Sequence, residues 1–387
     1  VPSVPSVDLS TVHSLRRLMT LLETLQRAAA VGGDGASAAP CRFPLALNAV
    51  DALRKMTPEG EDPTLPSPVT RLVGWQIPPA EAEGIDSLQK LAKKLRRKLK
   101  NLGSVGREEF LALLGSLPAE KLGDVTGGEV VGLMAQGCVA LELWEPLGFL
   151  ILHGHVGRLG PNDLVEKLVE KGRAELLCLY VERVPNTRAS ELLAILGYFL
   201  SPTRGYREGM LKVRKEWESQ ALLAIEKATQ KGVPEKVSTL AREASVLLMM
   251  AHDGFSASEL CLHSLFSSPN MDGLVMSSAV SRLGGSELMG LIRYLRKWLE
   301  KYERFPEACP CPEAGPVLGL KACELVPSLE SLVKGLGLII DEHYSYLVLN
   351  SQFHEEMRSI WRLVNSLAST ANLCCSVANI IDNLRLM

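Results

Sequence analysis

An all-α fold is what this sequence predicts, and three observations carry the expectation. Apolar residues recur at helical spacing from residue 85 onward, and short Gly-, Pro-, Asn- or Asp-marked connections separate the runs. Apolar residues make up 47% of the chain but aromatics only 5%, a leucine-rich balance that favours helices over sheets. Residues 351–385 contain neither glycine nor proline and carry a heptad stripe. The finer expectation is an irregular α-solenoid of stacked helical hairpins ending in a long heptad-patterned helix.

Taken in order, the first element is a helix from residue 9 or 10 to about 30. Leu15, Leu18, Leu22 and Leu25 share one of its faces, and Asp8, Ser10 and Thr11 can cap it. A Gly- and Ala-rich loop (31–40) and a short helix at 45–56 complete an N-terminal segment, 1–56. Residues 57–84, with six prolines between Pro58 and Pro79, read as an extended linker. The solenoid then spans 85–305, with helices at 85–102, 107–114, 128–137, 139–153, 161–171, 174–184, 190–200, 205–230, 233–252, 256–265, 275–283 and 286–305. A Pro/Cys loop at 306–317 leads to a C-terminal assembly region, 318–387, with helices at 318–346 and 351–385. No segment shows the period-two alternation of a strand. Similar runs at 109–115, 191–197 and 286–292 hint at repeated hairpins of irregular spacing.

Composition excludes several classes. A formal net charge of −2 gives no global attraction to nucleic acid or to an anionic membrane. The most apolar stretch, 130–153, is broken by Glu142 and Glu145, so no membrane span is expected. The opening residues have no basic n-region and no h-region, so no signal peptide is expected; the start at Val1 suggests a piece of a longer protein. Nine cysteines, an odd number lying mostly in helical apolar patterns, suit a reducing compartment.

The heptad stripe is the first candidate site. Phe353, Met357, Ile360, Val364, Leu367, Ala371, Cys374, Ala378 and Ile381 alternate at spacings of four and three, on one seam of a helix about 50 Å long. Small residues in its distal half would let another helix approach closely, so the seam is expected to dock partner helices. Tyr294, Trp298 and Tyr302, at i, i+4 and i+8, form an aromatic ridge that joins the candidate partner surface; core packing is the alternative. Lys90, Lys93, Lys94, Arg96, Arg97, Lys98 and Lys100 surround a leucine stripe at 88–102 with no acid among them. This helix can contact RNA phosphates or an acidic surface, or else is a solvated face whose long stems cover leucines.

Chemistry is sparse elsewhere. His153 and His155 flank Gly154 without further ligands nearby, which suits a helix C-cap better than zinc. Cys309, Cys311 and Cys323 follow no recognised ligand frame, and Cys261 and His263, two apart on a helix, point away from each other. No phosphate loop, dinucleotide fingerprint, H-E-x-x-H or G-x-S-x-G occurs. The expectation is therefore no catalytic residue, no cofactor, no metal and no small-molecule substrate.

Three segments carry a resemblance to a known family. They are LMGLIRYLRKWLEKY at 288–302, LVKGLGLIIDEHYSYLVL at 332–349 and FHEEMRSIWRLVNSL at 353–367, with a further match at 164–201. Together they resemble the C-terminal helical region of the nucleolar protein eleven family, whose Asp-x-His-aromatic step is matched by Asp341, His343 and Tyr344. Glu342 departs from the small residue usual there, and residues 1–84 carry no propeller-like pattern. The resemblance implies a scaffold of the small-subunit processome's early-binding subcomplex, acting in pre-ribosomal RNA transcription and processing. It further implies a nucleolar, nuclear location and partners among helical-domain and propeller-containing processome subunits; contact with the pre-rRNA backbone is the expectation from the basic helix at 88–102. A trafficking coat or tether is the competing class, because α-solenoids serve there too.

Overall fold

The computed structural model describes residues 45–47, 69–71, 79–100, 106–115, 127–153, 156, 163–185, 187–201, 207–230, 232, 234–306, 308 and 310–385. The expected helix at 9–30 and the loop at 31–40 lie outside them. Two compact units result, Val1–Asp86 and Ser87–Met387.

The first unit holds a short antiparallel ribbon, β1 (Leu45–Leu47) with β2 (Val69–Arg71), in which Ala46 pairs with Thr70. This corrects the helix expected at 45–56 over residues 45–47 and the extended linker expected at 57–84 over 69–71; residues 48–56 lie outside the described residues. Three-residue strands are too short to show alternation, so nothing in the pattern marked them. Helix α1 (Pro79–Lys100) also starts earlier than expected, at a proline in the position where its missing N–H costs nothing.

The rest is helical: α2 (Arg107–Gly115), α3 (Gly127–Ala140), α4 (Trp144–Leu152), α5 (Leu164–Glu170), α6 (Ala174–Arg183), α7 (Ala189–Leu200) and α8 (Arg207–Thr229). They are followed by α9 (Glu235–His252), α10 (Ala257–Ser267), α11 (Gly273–Val280), α12 (Gly285–Arg304), α13 (Ala314–Leu318), α14 (Leu329–Leu349) and α15 (His354–Arg385). The all-α class therefore holds, with the β1–β2 ribbon as the one exception among the described residues. No described helix is long and apolar enough to cross a membrane.

Local chemistry sets the helix ends. Ser256 accepts from the Glu259 backbone N–H while the Glu259 carboxylate accepts from the Ser256 N–H, a reciprocal cap at the start of α10. Asp272 caps α11 and Ser328 caps α14 through one side-chain oxygen each. Gly319, at φ +72°, ends α13 in the left-handed conformation that glycine adopts freely.

Helices pack on their second neighbours as well as their first. Thus α4 lies on α6, α5 on α7, α6 on α8 and α8 on both α9 and α10. Two of the similar sequence runs meet: Gly197 of α7 faces Glu287, and Gly290 of α12 faces Leu200. A Cβ at either glycine would make only ordinary van der Waals contact, 3.4 Å from Glu287 and 3.5 Å from Leu200.

The centre of the core lies around α12. Its amphipathic stripe buries Leu288, Leu291, Ile292, Tyr294, Leu295, Trp298, Leu299 and Tyr302. The aromatic ridge is therefore not partner surface. Tyr294 and Trp298 are fully enclosed, and the Tyr302 hydroxyl donates to the Pro327 carbonyl at 2.7 Å. Neighbouring helices cover this face of α12, which the spacing on one helix does not encode.

Candidate partner-docking helix and basic face

The last helix changes character half-way along. A 3-10 turn at Ser351–Phe353 joins α14 to α15, and the His354 imidazole N–H donates to the Val348 carbonyl at 2.8 Å. Phe353, Ile360 and Leu363 are then buried, with Met357, Val364 and Leu367 half-buried against the core. Helix α12 is the principal support of this proximal half. Glu356 fixes the contact by reaching Arg293 at 2.9 Å and Arg296 at 2.8 Å, both on α12. Glu356 is only 18% exposed, so this pair of contacts is less screened than an ordinary surface ion pair.

Beyond Leu367 the cover ends. Every residue from Ala368 to Ser376 is exposed, including Ala371 and Cys374 of the seam and Leu373 at 68%. The side chains of Ala378 and Ile381 lie outside the described residues, although the helix continues through them. No charged residue occurs between Arg362 and Asp382. An uncharged stretch in which Ala371, Leu373 and Cys374 lie among Ser369, Thr370, Asn372 and Ser376, standing free of its own core, suits close helix–helix packing rather than electrostatic capture.

The nine seam residues are thus divided. Phe353, Met357, Ile360, Val364 and Leu367 serve the chain's own core, which corrects their place on the expected partner surface. Ala371 and Cys374 are available. Trp361, 67% exposed, and Leu349, 82% exposed, were missed because they sit off the seam. The size of Trp361 beside polar neighbours could have signalled it, whereas Leu349 ends the apolar run 346–349 and carries no such signal.

On α1, Leu88, Ala92 and Leu95 are buried while Lys90, Lys93, Lys94, Arg96, Arg97 and Lys100 are exposed. Arg96 pairs with Glu129 at 2.5 Å, and Lys98 pairs with Glu109. The hydrogen bond from Lys98, then its charge, holds the Glu109 carboxyl below the usual carboxylate pKa.

Other expected sites resolve plainly. His153 caps α4, its ring 4.0 Å from that of Phe149 and its Nδ1 2.9 Å from the Phe149 carbonyl; Gly154 and His155 lie outside the described residues. Cys311 and Cys323 are buried near each other's thiol, and the Cys323 hydrogen bond lowers the Cys311 pKa; Cys309 lies outside the described residues. No group of three or more His, Cys, Asp or Glu able to hold a metal ion occurs among the described residues. His343 Nε2 donates to the Val280 carbonyl at 2.8 Å, at a kink in α14 where its own φ is −119°, and Tyr344 beside it is exposed. A cavity of about 570 Å³ lies between Phe266, Met271, Met276 and Leu338, and another of about 400 Å³ lies beside Pro310, Pro312 and Cys323.

No family model matches this chain. Neither a curated protein nor a solved structure matches it. The nucleolar resemblance rests on the quoted segments alone.

Proposed function

We propose that this chain is a scaffold subunit rather than an enzyme, and that it docks partner subunits through the distal half of α15. One observation carries the reading: residues 368–376 are exposed all round, whereas the proximal half of the same helix is packed against α12. An exposed Leu373 beside Ala371 and Cys374 presents apolar area with little bulk, the surface that a second helix can approach closely. The second-neighbour helix packing supports an irregular α-solenoid as the platform.

The setting we propose is ribosome biogenesis, with the chain acting in pre-rRNA transcription and processing within the small-subunit processome, in the nucleolus. Its support is the resemblance at 288–302, 332–349 and 353–367. The physical content of the Asp341-x-His343-Tyr344 step adds to it, since His343 ties α14 to α11 and could not be exchanged without loss of that bond. The test is affinity purification of the tagged chain with an RNase-treated control. Recovery of propeller-containing processome subunits after RNase supports the reading; recovery of coat or tether subunits overturns its setting.

A further inference from the structure

The geometry points to the outward face of α1 as a binding surface for the phosphate backbone of RNA. Of seven cations on this helix, two are already engaged, Arg96 by Glu129 and Lys98 by Glu109. No ion pair among the described residues ties Lys90, Lys93, Lys94, Arg97 or Lys100. At 3.6 residues per turn these five fall within an arc of about 120°, in a row about 15 Å long. Leu88, Ala92 and Leu95 occupy the opposite side, and the two engaged cations flank the free row. Lys94 also contributes to lowering the Glu109 pKa, after the larger effects of Lys98, so its charge reaches beyond the row.

The chemistry of the face selects the partner. A membrane-surface helix needs its apolar side free to enter the headgroup region, but here that side is buried in protein. A protein partner would need aromatic or aliphatic anchors, and lysine is depleted from the core of such interfaces. The free row offers only Lys and Arg. A phosphodiester backbone is the partner for which cations alone suffice, because neutralising its phosphates releases bound counterions. Without an aromatic side chain on which bases stack, the contact would not read sequence. This inference stands apart from partner capture by α15.

The test is fluorescence anisotropy with a labelled twelve-nucleotide oligouridylate across a salt series. The wild-type log–log slope should lie between about −2 and −3.5, the limit for five phosphates on a single strand. The triple variant Lys93→Gln, Arg97→Gln, Lys100→Gln should bind at least tenfold more weakly at low salt, with a slope shallower by about 2. A control, Arg214→Gln, Lys215→Gln, Lys236→Gln, removes equal charge from exposed positions and should bind as wild type does. Oligoadenylate should bind like oligouridylate. Equal binding by wild type and the triple variant would overturn the assignment, as would equal weakening by the control. Equal affinity for polyglutamate would replace RNA with acidic surfaces in general, and binding to phosphatidylserine vesicles in place of RNA would replace it with a membrane.

Discussion

The Tyr294 hydroxyl donates to His263 Nδ1 at 3.0 Å, joining α12 to α10 inside a box of rings. On its other side His263 Nε2 donates to the Ala251 carbonyl at 3.0 Å, which fixes the neutral tautomer. Trp217 and Phe255 meet the imidazole edge-on, at 5.2 and 4.8 Å between centroids, and Trp298 lies 4.8 Å away. Burial drives the His263 pKa down to about 4, against weaker upward pulls from the Ala251 bond and the Glu259 charge. The residue is structural. Neither cavity described above reaches it.

A pH dependence follows from that burial. The folded pKa lies below the unfolded value of 6.5, so the unfolded chain binds the proton more readily. The contribution of His263 is complete above pH 6.5 and is lost as pH falls toward 4, amounting to about 3 kcal/mol. Denaturant titrations at about pH 7.5 and about pH 4.5 should show the loss, and His263→Leu should flatten this part of the profile. Tyr294→Phe removes the donor to a buried acceptor and should cost about 1–3 kcal/mol at neutral pH.

Gly209 sets how closely α8 crosses the turn between α5 and α6. A Cβ there would lie 2.2 Å from the Gly172 carbonyl oxygen and 2.9 Å from the Ala174 nitrogen, both backbone atoms that cannot swing aside. Gly209→Ala should therefore destabilise the chain by about 1–3 kcal/mol despite alanine's better helix propensity. Gly337→Ala, where nothing lies within 4 Å, is the matched control and should be neutral or mildly stabilising by thermal melting.

The Glu356 contacts predict a local effect. Glu356→Ala should leave Arg293 and Arg296 without this partner beside α15 and cost about 1 kcal/mol, given the partial exposure of the arginines. Hydrogen exchange should quicken across residues 354–367 while α8 and α9 keep their protection.

Cysteine reactivity tests which side of the final helix is open. Cys374 and Cys375 are exposed, whereas Cys138 and Cys261 are buried, and burial raises the Cys138 pKa to about 12 and pushes that of Cys261 well up. Brief iodoacetamide treatment of the native chain, followed by peptide mapping, should label Cys374 and Cys375 well before Cys138 and Cys261. A bound partner helix should slow labelling at Cys374.

Much of the fold is legible because helical spacing survives whatever surrounds it. The Leu288–Tyr302 stripe and the helix start at Ser256 can be read directly from residue types, whereas the helix expected over 318–346 begins only at Leu329, capped by Ser328 after a 3-10 turn at Lys321–Leu325. Which face meets solvent cannot be read so easily. Tyr294, Trp298 and Tyr302 have the spacing of an interface ridge, yet α10 and its neighbours close over them. The heptad from Phe353 to Ile381 is continuous in sequence, but the cover over it ends after Leu367, where α12 no longer supports it. That end is a tertiary fact, set by where α12 lies against α15. It also alters the choice of substitution: Ile360→Asp would damage the core, whereas Leu373→Asp with Cys374→Asp alters exposed positions only.

Partner capture with that pair of substitutions is the decisive experiment for docking through the distal half of α15. The tagged wild type and the Leu373→Asp, Cys374→Asp variant would be purified from native cells after RNase treatment and their partners identified by mass spectrometry, with thermal melting as the folding control. Docking through α15 requires equal melting temperatures, recovery of propeller-containing processome subunits by the wild type, and their loss from the variant. Equal recovery by both chains would contradict docking through the distal half of α15.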